Sequence, residues 1–340
     1  MKCASLVFLL LALLAASTAT GAAASPTPVA ATNLNDIAEA YVKLVLAIGQ
    51  HDADYVDAYY GPPEWKKQPK KPLDTIALEA ARLRDQLAKI SAPTDEMERL
   101  RLAYLTKQLS ALQARVRILK GEHLKFDEES QALYDAVAPT FSESHFEEIL
   151  AKLGEKLPGE GTLLQRYENW RRAFVIPKDK LDTVFQLAIK ACRERTHAHI
   201  KLSPNENFTV EYVTNKPWGG YNWYKGNYRS IIQVNTDLPV YIDRAIDLAA
   251  HEGYPGHHVY NALLEKNLVR DRGWIELSVY PLFSPQSLIA EGTANFGKEV
   301  VFTKAERLAF EKEVLWPAAG LDSSRAEEFY EVQDLVKQLN

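Results

Sequence analysis

The sequence predicts a mainly α-helical fold carrying one small β-sheet, and two observations lead to it. Across residues 33–202 nearly every segment repeats apolar residues at helical spacing, as in Ile37, Ala40, Tyr41, Leu44 and Val45, and again in Leu78, Ala81, Leu83 and Leu87. After Ser203-Pro204-Asn205 the pattern changes to the alternation of a strand, over residues 208–213 and 228–234.

The elements follow in order. Met1-Lys2 leads into an apolar run from Leu6 to Ala16 and then small residues up to Ala22-Ala23-Ala24. That is the layout of a secretory signal peptide, so residues 1–24 are expected to be removed and the mature chain to be exported, periplasmic or secreted. The run is shorter than the roughly 20 residues a spanning helix needs, so no stable membrane span is expected after cleavage. Residues 25–32, rich in Ala, Pro and Thr, read as a disordered lead-in. The helical region 33–202 is interrupted at Gly61-Pro62-Pro63, Ala92-Pro93-Thr94, Pro158-Gly159-Glu160-Gly161 and Ile176-Pro177. Residues 203–340 hold the sheet and a second set of helices, expected to form one continuous unit with 33–202.

Within that second part, residues 216–227 combine glycines with Trp218, Tyr221, Trp223 and Tyr224. This composition suits either a loop that presents rings to a ligand or a hairpin capped by packed aromatics. Helical periodicity resumes through Ile242, Ala245, Ile246 and Ala249, and later helices are expected over 287–302 and 304–314.

Composition narrows the function classes. At 46% hydrophobic residues the chain can build a core, and a net charge of -5 with 25% charged residues offers no basic face for nucleic acid. Its two cysteines are Cys3, in the segment to be removed, and Cys192, in a helical pattern. The mature chain therefore forms no internal disulfide, and Cys192 is expected to be a buried small hydrophobe.

The strongest chemical signal is His251-Glu252-Gly253-Tyr254-Pro255-Gly256-His257-His258, at the end of an apolar helix. In the H-E-x-x-H arrangement two histidines one helical turn apart bind zinc, and the glutamate beside the first acts as general base. Here the fourth position after His251 is Pro255. On an undistorted helix His257 would lie about 120° round from His251 and about 9 Å further along, too far to share an ion. Pro255 removes a helical hydrogen bond and Gly256 admits unusual dihedrals, so a bulge is expected. A two-residue bulge returns His257 to the face of His251; His258, the alternative second ligand, would need three. Glu291, an isolated carboxylate in the apolar, small-residue segment Ser287-Leu288-Ile289-Ala290-Glu291-Gly292-Thr293-Ala294, is the third candidate ligand. Asp247 and Asn295, four residues from candidate ligands, are candidates for orienting them. His197 and His199 are expected to end a helix that begins near Lys178.

These residues carry a resemblance. His251–His258 followed by Glu291-Gly292-Thr293-Ala294 resembles the bacterial family called domain of unknown function 885, which is grouped with zincin peptidases. The resemblance is strongest over residues 228–301. It implies a largely helical, gluzincin-like fold with His251, the histidine after Pro-Gly and Glu291 as zinc ligands and Glu252 as base. Many members carry an aromatic residue where this chain has Thr293, and many continue with further helices past the point where this chain reaches Asn340.

The expected activity is hydrolysis of peptide bonds by an exported Zn²⁺ peptidase, with Glu252 taking a proton from the attacking water. Tyr221, Tyr224, Tyr228 and Arg229 are the candidate substrate-binding residues, and 231–234 a candidate edge strand for an extended peptide. The same ligands would serve a zinc amidase acting on a small-molecule amide. The other alternative is a non-catalytic exported protein that binds a peptide or glycan.

Overall fold

The computed structural model describes residues 33–339. The expected signal peptide and lead-in lie outside these residues. Asn33 starts α1 (Leu34–Ile48) by accepting a hydrogen bond from the Asn35 amide, and Asp95 caps α3 (Glu96–Leu119) in the same way through the Glu98 amide. With α2 (Leu73–Leu87) these helices enclose a core of Ile37, Tyr41, Val45, Ile76, Leu83, Leu105 and Leu109. The inward stripe of α2 is Ile76, Ala80, Leu83 and Leu87. Leu78, expected in that stripe, is 73% exposed because it falls on the opposite face.

One strand interrupts the region expected to be helical in nearly every segment. β1 (Val56–Tyr59) pairs antiparallel with β5 (Val279–Pro281), which ties the N-terminal helices to a segment more than 200 residues away. The buried ion pair between Arg101 on α3 and Glu276, just before β5, fastens the same junction through two hydrogen bonds of 2.6 and 3.1 Å.

After α4 (Phe126–Tyr134), the helices α5 (Glu143–Lys156), α6 (Leu163–Arg171) and α7 (Leu181–His199) build a second core. It is completed by α8 (Asp243–Leu248), α11 (Lys304–Phe310), α12 (Trp316–Ala319) and α13 (Ala326–Val336). Trp170, Phe174, Trp316 and Phe329 form its aromatic centre, and Cys192 is buried within it.

The three-stranded sheet has the order β2-β4-β3, with β2 (Asn207–Val213) parallel and β3 (Gly220–Gly226) antiparallel to β4 (Arg229–Asn235). Most of the aromatic stretch is thus a strand of a hairpin. The expectation that 231–234 forms a free edge is corrected: β4 is central, so its backbone groups are already engaged on both sides.

A third and smaller cluster, Ala58, Tyr224, Ala262, Tyr280 and Ala290, joins β1, β3, α9 (His257–Leu264), β5 and α10 (Pro285–Val301). Among the described residues no helix is long and apolar enough to cross a membrane.

Candidate metal centre and its cleft

The bulge expected at Pro255-Gly256 is a local rewinding of the helix. After α8 the chain widens into a π-helical turn, Ala249–Gly253. The amides of Tyr254 and Gly256 then reach back to the carbonyls of Ala249 and Ala250, at 2.9 and 2.8 Å, before α9 starts at His257. Gly256 is obligatory here, since a Cβ at that position would lie 1.8 Å from the His251 carbonyl oxygen. Helix α10 packs on this turn through Ala290, Ala294 and Gly297, residues small enough for two backbones to approach; a Cβ on Gly297 would stand 3.3 Å from the Ala250 oxygen.

The rewinding brings His251, His257 and Glu291 together. The two histidine Nε2 atoms are 3.1 Å apart, and Glu291 lies 3.4 Å from His251 and 3.2 Å from His257. A tetrahedral zinc with bonds of about 2.0–2.1 Å has neighbouring ligand atoms about 3.3 Å apart. The histidine pair stands close to that spacing, the Glu291 carboxylate spans both histidines with one oxygen toward each, and the donor chemistry, two imidazoles and one carboxylate, fits a zinc ion.

The electrostatics agree with the geometry. Hydrogen bonds from His251 and His257 hold the Glu291 carboxyl far below its usual range, against the opposing effect of burial. Burial on its own would lower the pKa of His251, but the hydrogen bond to Glu291 and the charges of Glu252 and Asp247 outweigh it and leave the group raised.

Glu252 is 5% exposed, and its carboxylate borders the cleft without accepting a hydrogen bond from any described residue. Burial raises its pKa, although the nearby His257 and His251 oppose this. Its backbone carbonyl is held by Asn222 Nδ2 at 2.6 Å, and β3 lies close over it: a Cβ on Gly220 would stand 3.2 Å from Glu252 Oε1.

The adjoining cleft, about 160 Å³ in volume, is lined by the three donors and Glu252 together with Asp57, Tyr221, Asn222, Asn261 and Tyr280. Each comes from an element that also feeds the small apolar cluster, or from the π-helical turn itself. Of the four expected substrate-binding residues, the structure brings only Tyr221 to this cleft. The Tyr224 hydroxyl donates to Glu265 at 2.6 Å, the Tyr228 ring lies beneath Arg270, and Arg229 is exposed at the start of β4. Asp247 pairs with Arg244 and Lys298 instead of a histidine, and Asn295 is exposed. These two are therefore not placed to orient the ligands.

His258 lies on the other side of the turn, fully buried between Ser230 Oγ, 2.9 Å from Nδ1, and Glu206 Oε2, 2.8 Å from Nε2. Glu206 also accepts hydrogen bonds from the Tyr254 hydroxyl at 2.7 Å and from Arg193 at 2.8 Å, and its Oε1 lies 3.1 Å from His197. Burial would raise its pKa, but the hydrogen bonds from His258, Tyr254 and Arg193 prevail and bring it down to about 2. The sequence reading missed Glu206, Asp57 and Asn222. Asp57 had a signal, since Tyr55-Val56-Asp57-Ala58-Tyr59-Tyr60 before Gly61-Pro62 is a β-prone run closed by turn residues. Glu206 had none, because a lone glutamate at the entry to a strand is indistinguishable from a solvated one.

No family model matches the chain, and neither a curated protein nor a solved structure matches it.

Proposed function

We propose that the chain is a zinc-dependent hydrolase of peptide bonds, with His251, His257 and Glu291 as the metal ligands and Glu252 as the general base. The observation that carries this reading is the convergence of two imidazoles and a carboxylate, His251, His257 and Glu291, beside a buried carboxylate that has no hydrogen-bonding partner among the described residues. A purely structural ion needs no such neighbour. When bound, zinc supplies Lewis acidity, lowering the pKa of water toward about 7 and polarising a carbonyl.

The chain's own groups do the rest. Glu252 takes the proton of the attacking water at its carboxylate and returns it to the leaving amine. Its burial favours the protonated form it must pass through. Asn222 fixes the Glu252 backbone, and β3 covers the carboxylate and limits access of bulk water.

Metal content by mass spectrometry tests it first. The purified chain is expected to hold near-stoichiometric zinc, lost in His251→Ala, His257→Ala and Glu291→Ala. Glu252→Gln should keep its zinc and lose about 10²- to 10⁴-fold in peptide hydrolysis. A folded wild-type chain that takes up no zinc, or a zinc-loaded Glu252→Gln variant with undiminished turnover, would sink the proposal.

A further inference from the structure

The cleft holds more negative charge than an ion and its ligands use. Its lining includes three carboxylates, Asp57, Glu252 and Glu291, and no lysine or arginine. A divalent cation on the three donors balances Glu291 and Glu252, which leaves Asp57 over. Asp57 stands on β1, and among the described residues its carboxylate has one hydrogen-bonding partner, the Tyr221 hydroxyl, which donates to Oδ1. No described residue donates to Oδ2. Of the positive groups that act on Asp57, His257 comes first, and Lys225, whose ammonium lies over the Trp223 ring at 5.1 Å, acts more weakly. A carboxylate oxygen left without a protein donor at the wall of a cleft can take a ligand cation as its partner.

Size narrows the ligand. A volume of about 160 Å³ is well below the 300–1,000 Å³ common for pockets that enclose drug-sized ligands. It suits one residue at the end of a chain. We infer that Asp57, held in place by Tyr221, is a subsite for the protonated α-amino group of the substrate, so that the cleft receives the free N-terminal residue of a peptide. This rests on the metallopeptidase reading and adds its substrate class: peptides with an unblocked amino terminus.

Binding calorimetry with two zinc-directed probes separates the two ideas without relying on turnover. Leucine hydroxamate carries the α-amine, and isocaproic hydroxamate is the same molecule without it. The zinc-loaded wild-type chain is expected to bind the first about 10- to 100-fold more tightly, the range for one charge-assisted hydrogen bond. Asp57→Asn should abolish that difference while keeping its zinc and its affinity for isocaproic hydroxamate. Asp57→Ser serves the same purpose where the Asn variant fails to fold. Equal, measurable binding of both probes to the wild type overturns the amine subsite and leaves the metal reading intact. A difference that survives in the Asp57 variants overturns the assignment to Asp57. If neither probe binds, the metal reading fails, and the subsite falls with it.

Discussion

His257 and His258 are neighbours in sequence with unrelated surroundings. His257 faces His251 and Glu291, whereas His258 is clamped between Ser230 and Glu206. Their alanine variants should therefore fail in different ways. His257→Ala is expected to lose zinc with little change in urea-unfolding stability measured on metal-free protein. His258→Ala should lower that stability by about 1–3 kcal/mol, since it takes a partner from a buried carboxylate. Equal stabilities for the two metal-free variants would contradict the division of labour. The sequence was enough to favour His257, because counting residues round a helix leaves a two-residue defect to be absorbed, and Pro255-Gly256 can absorb it. What His258 does was not legible. Its partners, Ser230 and Glu206, lie 28 and 52 residues away with no periodicity linking them.

At the level of elements, the π-helical turn is held from both sides. The Glu206 network grips Tyr254 and His258 from behind, and the small-residue face of α10 closes from the front. Gly256→Ala tests how far the site depends on this turn. The added methyl would overlap the His251 and Ala250 carbonyls at 1.8 and 2.5 Å, so the backbone must move. The expected result is loss of zinc together with destabilisation of about 2 kcal/mol or more, read from metal content and urea unfolding. Retention of stoichiometric zinc at wild-type stability would mean that the turn is far more tolerant than its geometry implies. The helices were legible because amphipathic periodicity is a local property: 287–302 was expected and Pro285–Val301 observed. β1 was not, because a four-residue strand pairing with a segment more than 200 residues away leaves only a faint local trace. The same holds for the central place of β4, which depends on its two partners and not on its own composition.

At the scale of the whole molecule, one buried carboxylate ties stability to pH. Beside Tyr330 in the second core lies Glu311, whose carboxyl burial pushes up to about 7, with the Tyr330 hydroxyl and Arg307 opposing only in part. The folded chain thus keeps a proton that the unfolded chain releases near its ordinary value of about 4.3. Between about pH 4.3 and 7 the folded state binds more protons, so this group makes stability fall as pH rises through that window, with no further change above it. Glu311→Gln is expected to match the wild type near pH 4 and to exceed it by roughly 3–4 kcal/mol at pH 8, measured by urea unfolding at both values. An identical pH dependence in the two proteins would show that Glu311 carries no such penalty.

The hydrogen bond from Tyr221 to Asp57 spans 164 residues, and the cleft also needs Glu291, near the far end of the chain. Contacts of such separation form late, because the entropy of closing the intervening chain must be met before they contribute anything. During synthesis the two histidines and the general base therefore exist for some time as ordinary side chains on an unfinished helix, and a chain halted before α10 lacks one of the three donors altogether. For the peptidase proposed above this would be a safeguard in time: the site is absent while its own backbone is still extended, and it comes into being only when that backbone has been folded out of reach.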